Sequence, residues 1–238
     1  MRKMIVLNKR TKDDGEKPFW ISYADLMSAL MVTFLLVMSV ALLAITNNVS
    51  ETERSVARRE QELNKLMDRI ERVTKAFPGT SFNRESHVID FGDRARFDTG
   101  SSRLTREQAQ FLVFFVIELL SVTREELGEK WLKRIVAEGF ADQRGDYLLN
   151  LNLSLQRSER VLCVLLDPQL VTEQSLNESE MEQVHDLFFV GGYSFNSIKK
   201  TLEESRRIEL RVEFFTLNEL RPEHQEQQHG HDFGKCRI

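Results

Sequence analysis

The chain of 238 residues has no basic excess: 33 Lys and Arg stand against 37 Asp and Glu, a formal charge of −4. A nucleic-acid surface usually shows as a strong positive balance, so no direct nucleic-acid partner is expected. A nucleophile elbow, a paired-histidine zinc motif, a phosphate-cradling Gly-rich loop and a Cys-x-x-Cys pair are all absent. The expectation is therefore a protein that is not an enzyme and carries no cofactor or metal. His224, His229 and His231 fall in a polar tail, where spacing says little about metal binding. Only two cysteines occur. Cys163 sits in an apolar helical run and reads as core packing, whereas Cys236 lies in the tail. A disulfide between them is permitted outside the cytoplasm, but their spacing gives it no support. Mean hydropathy is low for a membrane protein, so most of the chain is expected in water.

Against that polar background stands one long apolar run, Phe19–Ile45. About 20 such residues cross a bilayer. The run holds a single charged residue, Asp25. A charge at the centre of a span costs about 2.5–3.5 kcal/mol, and acids that persist there usually carry protons or ions. Taking up a proton removes the charge that hydrocarbon penalises, which suits Asp25 to a relay. On a 3.6-residue period, Ser22, Ser28, Ala29 and Thr33 share or nearly share its face, and Tyr23 adjoins it. Small, weakly polar residues suit close helix packing and would let hydroxyls and water reach the carboxylate. The alternative is an Asp25 that reaches the cytoplasmic surface beside Trp20 and Tyr23, although an Asp side chain is short for that. A signal peptide has a shorter apolar core and a small-x-small cleavage site. Here Thr46-Asn47-Asn48 follows, so an uncleaved anchor is expected. Arg2, Lys3, Lys9, Arg10, Lys12 and Lys17 precede the run. Basic flanks stay in the cytoplasm, which places the remainder in the periplasm, outside a bacterial inner membrane crossed once.

After the span, Val49, Val56, Leu63, Ile70 and Phe77 recur at seven, with Leu66 and Val73 between them. Thr52 and Arg59 break the second series. This predicts a helical, coiled-coil-like linker whose seam could join a parallel homodimer, best in its second half. A single amphipathic helix packed on its own domain is the other possibility. Phe77-Pro78-Gly79 ends the pattern. Beyond it, Val88–Phe91, Arg134–Phe140, Leu187–Val190 and Ile208–Phe215 read as strands. Thr105–Val122 and Asn152–Leu166 read as helices, with Thr105 and Ser154 as N-caps. The order β-α-β-α-β-β makes the domain α+β. The expected divisions are a cytoplasmic tail at 1–18, a transmembrane helix at 19–45, the linker at 46–80, the sheet domain at 81–216 and a disordered tail at 217–238.

Tyr23-Ala24-Asp25-Leu26-Met27-Ser28-Ala29-Leu30-Met31 resembles the transmembrane signature of the MotB family of stator subunits. Glu138-Gly139-Phe140-Ala141-Asp142, with Gly145, Asn150, Leu153-Ser154 and Arg157, resembles the peptidoglycan-binding motif of OmpA-like domains. Phe97–Ser101 and Glu204–Leu210 are similar to that domain's opening and closing segments. The resemblance implies that Asp25 carries a proton, less favourably a sodium ion. It implies a homodimer, a pentameric MotA-like membrane partner and attachment to peptidoglycan. Asp142 would hold the ammonium of the stem's diaminopimelate and Arg157 a carboxylate, with Asn150, Arg206 and Arg207 assisting. The sequence departs from the pattern at Phe140, where His or Tyr is common, and at Ala141, where Thr is. Pro18–Met27 looks closer to a branch serving anti-phage defence than to the flagellar one. A flagellar stator subunit and a purely structural peptidoglycan tether are the other readings.

Overall fold

A computed structural model describes residues 19–171, 173–219 and 233–236. The expected tail at 1–18 with its six basic residues lies outside the described residues. So do the side chain of Ser22, His224, His229, His231 and most of 217–238. The described chain divides into two compact units, residues 1–55 and 56–238.

Helix α1 runs unbroken over Phe19–Ala76. Among the described residues it is the one helix long and apolar enough to cross a membrane. Leu26, Leu30, Phe34 and Val37 are all exposed, a face that only lipid or another protein would cover. Within the second unit the helix behaves differently. Leu66 and Ile70 are buried, and Leu63, Val73 and Phe77 pack against the same core. Phe77 meets the rings of Phe111 and Phe115 edge-on. The heptad stripe expected to receive a second helix here is thus covered by the chain's own domain. In its second half the linker is therefore a single amphipathic helix packed on its own domain, where burial of its apolar stripe and edge-on aromatic contacts stabilise it. Val49 and Val56, in the first half of the linker, stay exposed.

The second unit is an α+β layer built on one sheet. Its strands are β1 Ser81–Asn83, β2 Val88–Asp90, β3 Leu132–Gly139, β4 Phe188–Gly192 and β5 Ile208–Phe214. Their spatial order is β1-β2-β5-β3-β4, with β3 and β4 parallel and every other pair antiparallel. Side chains alternate between faces along each strand. Ile89, Ile135, Ala137, Leu210 and Val212 enter the core, which α2 (Arg106–Thr123) completes with Leu112, Phe115, Val116 and Leu119. The opposite face is charged. Glu138 and Glu209 sit directly across from each other, which alone would repel. Arg211 takes the first at 2.6 Å, and Arg207 and Lys199 take the second at 2.7 and 3.1 Å.

Every strand and helix read from the pattern of apolar residues is present. Thr105 caps α2 in a capping box with Gln108. The structure adds β1, α3 (Glu126–Trp131), α5 (Glu178–Leu187) and α6 (Leu202–Ser205). Helix α4 spans Tyr147–Leu166 and begins before the predicted start. Asp146, not Ser154, is its cap, accepting from Leu149 N at 2.9 Å. Ser154 lies buried inside the helix, where its hydroxyl accepts from Ser194 N at 3.0 Å. Gly139 explains how closely α4 lies on β3: a Cβ there would stand 1.9 Å from the Ser154 carbonyl oxygen.

Candidate functional site

Two aspartates stand in contrasting surroundings. Asp25 lies in the exposed apolar part of α1, with Tyr23 and Ala29 also exposed. The nearby hydroxyls do not turn to it. Ser28 donates to the Ala24 carbonyl at 2.7 Å and Thr33 to the Leu30 carbonyl at 2.9 Å. Bonding back to the helix is a common way for a mid-helix hydroxyl to be satisfied.

Asp142 follows β3, where the strand's hydrogen bonding continues past Gly139. Phe140 N donates to the Arg207 carbonyl at 3.0 Å and Ala141 N to the Ser194 carbonyl at 2.7 Å. Asp142 is buried, yet its carboxylate is well supplied with donors. Oδ1 accepts from Arg144 N at 3.0 Å, and Oδ2 from Arg144 Nη2 at 2.9 Å and Arg206 Nη1 at 3.1 Å. Burial alone would raise its pKa, but the bonds from the Arg144 side chain and backbone and from Arg206 outweigh it and hold the group at about 2. The loop then turns at Gly145, whose φ is +91°. Asn150 pins that loop, donating to the Arg144 and Asp146 carbonyls at 2.8 and 3.2 Å.

Arg157 projects from α4 and is fully buried. Its guanidinium donates to the carbonyls of Ser101 at 2.9 Å, Phe140 at 2.7 Å and Asp98 at 3.1 Å, and stacks on Phe97. Burial, then the charge of Arg206, press its pKa down to about 10, so it remains a cation at neutral pH. Arg206 is anchored through Nε to the Phe97 carbonyl at 2.8 Å. A cavity of about 370 Å³ is lined by Thr99, Asp142, Arg144, Asn150, Arg157 and Arg206, among others. One carboxylate faces three guanidinium groups, an arrangement suited to a ligand with at least one carboxylate.

Asp142, Asn150, Arg157 and Arg206 are thus brought together as the sequence suggested. Arg207 is not among them. Adjacent residues entering β5 point to opposite sides. Arg207 binds Glu209 and the Ser197 carbonyl at 2.7 and 3.0 Å and lies over the Phe140 ring, whose other neighbour is Tyr193. It lines a different cavity, with Asp90 and Lys199. Sequence reasoning passed over Arg144 and Thr99. The signal for Arg144 was Asp142-Gln143-Arg144-Gly145, an Asp two residues before a donor and a turn glycine. Cys163 and Cys236 form a disulfide, with Cα atoms 5.4 Å apart, that secures residues 233–236 to α4.

No family model matches the chain. The Zorya protein ZorB of Escherichia coli O139:H28 (strain E24377A / ETEC) is 42% identical over 216 residues, covering 90% of this chain and 88% of its own. Among solved structures, a periplasmic domain of MotB aligns with a TM-score of 0.41 at 14% identity, covering 58% of this chain and 69% of that one. The OmpA-like domain of FopA1 from Francisella tularensis subsp. tularensis SCHU S4 aligns with a TM-score of 0.35 at 14% identity, covering 58% and 82%.

Proposed function

The chain belongs to the ZorB family of Zorya proteins, and on that premise we propose that it is the stator-like subunit of a proton-driven rotary motor acting in anti-phage defence. Two copies pair along the membrane helix within a pentameric MotA-like (ZorA-like) partner in the bacterial inner membrane. The N-terminus is cytoplasmic, and the sheet domain is periplasmic and grips peptidoglycan. The observation that carries this reading is the 42% identity across 90% of the chain. Asp25, the single charge in Phe19–Ile45, supports it. So does the Cys163–Cys236 disulfide, which suits an oxidising compartment.

Asp25 takes a proton from the periplasmic side and releases it inward. Each charge moved through 100 mV releases about 2.3 kcal/mol. Protonation alternately neutralises and charges the two Asp25 side chains, which changes their fit to the partner ring. A conformational step requires such a differential interaction. Pairing uses the span and the linker up to Val56, because the apolar stripe beyond it is already covered. The cavity at Asp142 holds the diaminopimelate of the peptide stem, its ammonium on Asp142 and a carboxylate within the field of the arginines. The wall then resists the torque that the partner generates.

The test is phage plating efficiency in a host carrying the gene with its native neighbours, comparing wild type with Asp25→Asn. Protection lost in the variant, at equal membrane abundance, is the expected result. Protection that survives would reduce the chain to a tether. Motility loss on deletion, with no phage phenotype, would mark a flagellar stator instead.

A further inference from the structure

Arg144 already sits where the ligand's ammonium is expected. Its guanidinium lies 2.9 Å from Asp142 Oδ2 through Nη2, and the same nitrogen donates to Thr99 Oγ1 at 2.9 Å across the cavity mouth. The three arginines differ in how firmly they are held. Arg157 is fully buried on three carbonyls. The Arg206 side chain is 10% exposed and fixed by its Nε on Phe97. The Arg144 side chain is 53% exposed. Its side chain is anchored on Asp142 and Thr99, which both belong to the cavity wall.

We propose that Arg144 is a displaceable counter-ion that fills the ammonium subsite in the free chain and swings out when a diaminopimelate ammonium arrives. The inference rests on reading the cavity as a stem-peptide site. Departure of the side chain leaves the turn intact, because Arg144 N remains on Asp142 Oδ1 and Asn150 remains on the Arg144 carbonyl. The freed guanidinium, whose side chain is already 53% exposed, passes into water. Asp142 Oδ2 keeps Arg206 and gains the ammonium, so the buried carboxylate is never left uncompensated. A ligand with carboxylates but no ammonium has nothing to offer Asp142 and cannot displace Arg144. The residue therefore selects for a ligand that carries both charges, and lowers affinity in doing so.

Calorimetric titration of the full chain in detergent micelles tests this. The probes are a disaccharide-tripeptide muropeptide ending in meso-diaminopimelate and the same muropeptide acetylated on the diaminopimelate amine. Arg144→Ala is expected to bind the native probe about fivefold tighter than wild type, equivalent to about 1 kcal/mol. The acetylated probe, which offers Asp142 no cation, should gain clearly less. Adding Asp142→Asn should abolish the gain. Wild-type binding with equal or weaker binding by Arg144→Ala overturns the counter-ion and leaves the stem-peptide site standing. Equal tightening toward both probes overturns it too, since the ammonium would then be irrelevant. If neither protein binds the native probe, the stem-peptide reading itself fails and the inference with it.

Discussion

Truncating Arg157 to Ala should unfold the sheet domain before it says anything about ligand contact. Among the described residues Arg157 heads the fully buried side chains in size. It ties three separate backbone stretches together, at Asp98, Ser101 and Phe140. Each carbonyl left without a donor costs about 1–3 kcal/mol. Water entering from the adjoining cavity would hold these losses near the lower end, about 3 kcal/mol for the three. Lost stacking on Phe97 adds about 1 kcal/mol. Relief of a buried charge beside Arg206 returns part of this, leaving a net loss of about 3–4 kcal/mol. The assay is urea unfolding of the full chain followed by the fluorescence of Trp131, which lies 8% exposed beneath Arg59 and Lys130. At an m-value of about 2 kcal/mol per molar, the midpoint should fall by about 2 M. Arg157→Lys, able to reach only some of the carbonyls, should fall about half as far. A shift below about 0.5 M for Arg157→Ala would refute the strut assignment and return Arg157 to direct ligand contact.

Two further perturbations address how the site is held. Gly139→Ala places a methyl 1.9 Å from a backbone oxygen of α4 that cannot give way, so melting should show a loss of about 3 kcal/mol or more. Because α4 carries Asn150 and Arg157, pelleting with sacculi should fail as well. Gly191→Ala meets only the Tyr193 ring, at 3.1 Å, and should cost under about 1 kcal/mol; comparable losses at both positions would refute the close-approach argument. The third concerns acid. The native Asp142 titrates at about 2 against an ordinary 3.8. A depressed carboxyl stabilises the fold above its unfolded pKa, and the contribution is lost as pH falls through the native value. It amounts to about 2 kcal/mol, lost between about pH 4 and 2. The stability gap between wild type and Asp142→Asn should therefore narrow over that window; a gap constant from pH 5 to 2 would refute the linkage.

What the sequence disclosed followed from periodicity and from charge in an improbable place. Apolar alternation located β3 and β5, and a helical period with a capping pair located α2, because each of these elements must bury one face. Asp25 stood out because a hydrocarbon span admits few charges. The heptad stripe was legible as a stripe but not as an assignment. Leu63, Leu66 and Ile70 have the same spacing whether they meet a second helix or the rings of α2. Only the tertiary arrangement decides, and Phe77 on Phe111 and Phe115 decided it. Helix α5 was missed although Asn177 and Glu180 form a capping box, because its ten residues hide little apolar surface. The cavity was legible as a motif, yet the separate fates of Arg206 and Arg207 depend on which side of β5 each faces. Arg144 escaped notice because one more arginine in a charged loop is ordinarily a solvated side chain.

On the proposed reading, the two aspartates divide the work between carrying a proton and gripping a ligand. A residue that grips an ammonium must remain a carboxylate at every physiological pH. Asp142 does so, because two arginine side chains and a backbone N–H supply its bonds. The same compensation disqualifies it as a proton carrier, since its affinity for protons is spent near pH 2. A relay needs the reverse: a carboxyl whose charge is neither fixed by neighbouring cations nor fully hydrated, so that gaining or losing a proton changes its energy in the protein. Phe19–Ile45 contains no Lys or Arg to fix Asp25. The neighbouring Ser28 and Thr33 hydroxyls are committed to backbone carbonyls. On the proposed reading, whatever stabilises the charged form comes from the partner ring or from water admitted to it. On that reading, drive and anchorage share one chain without sharing a carboxylate. Asp25 lies in the unit of residues 1–55 and Asp142 in the unit of residues 56–238.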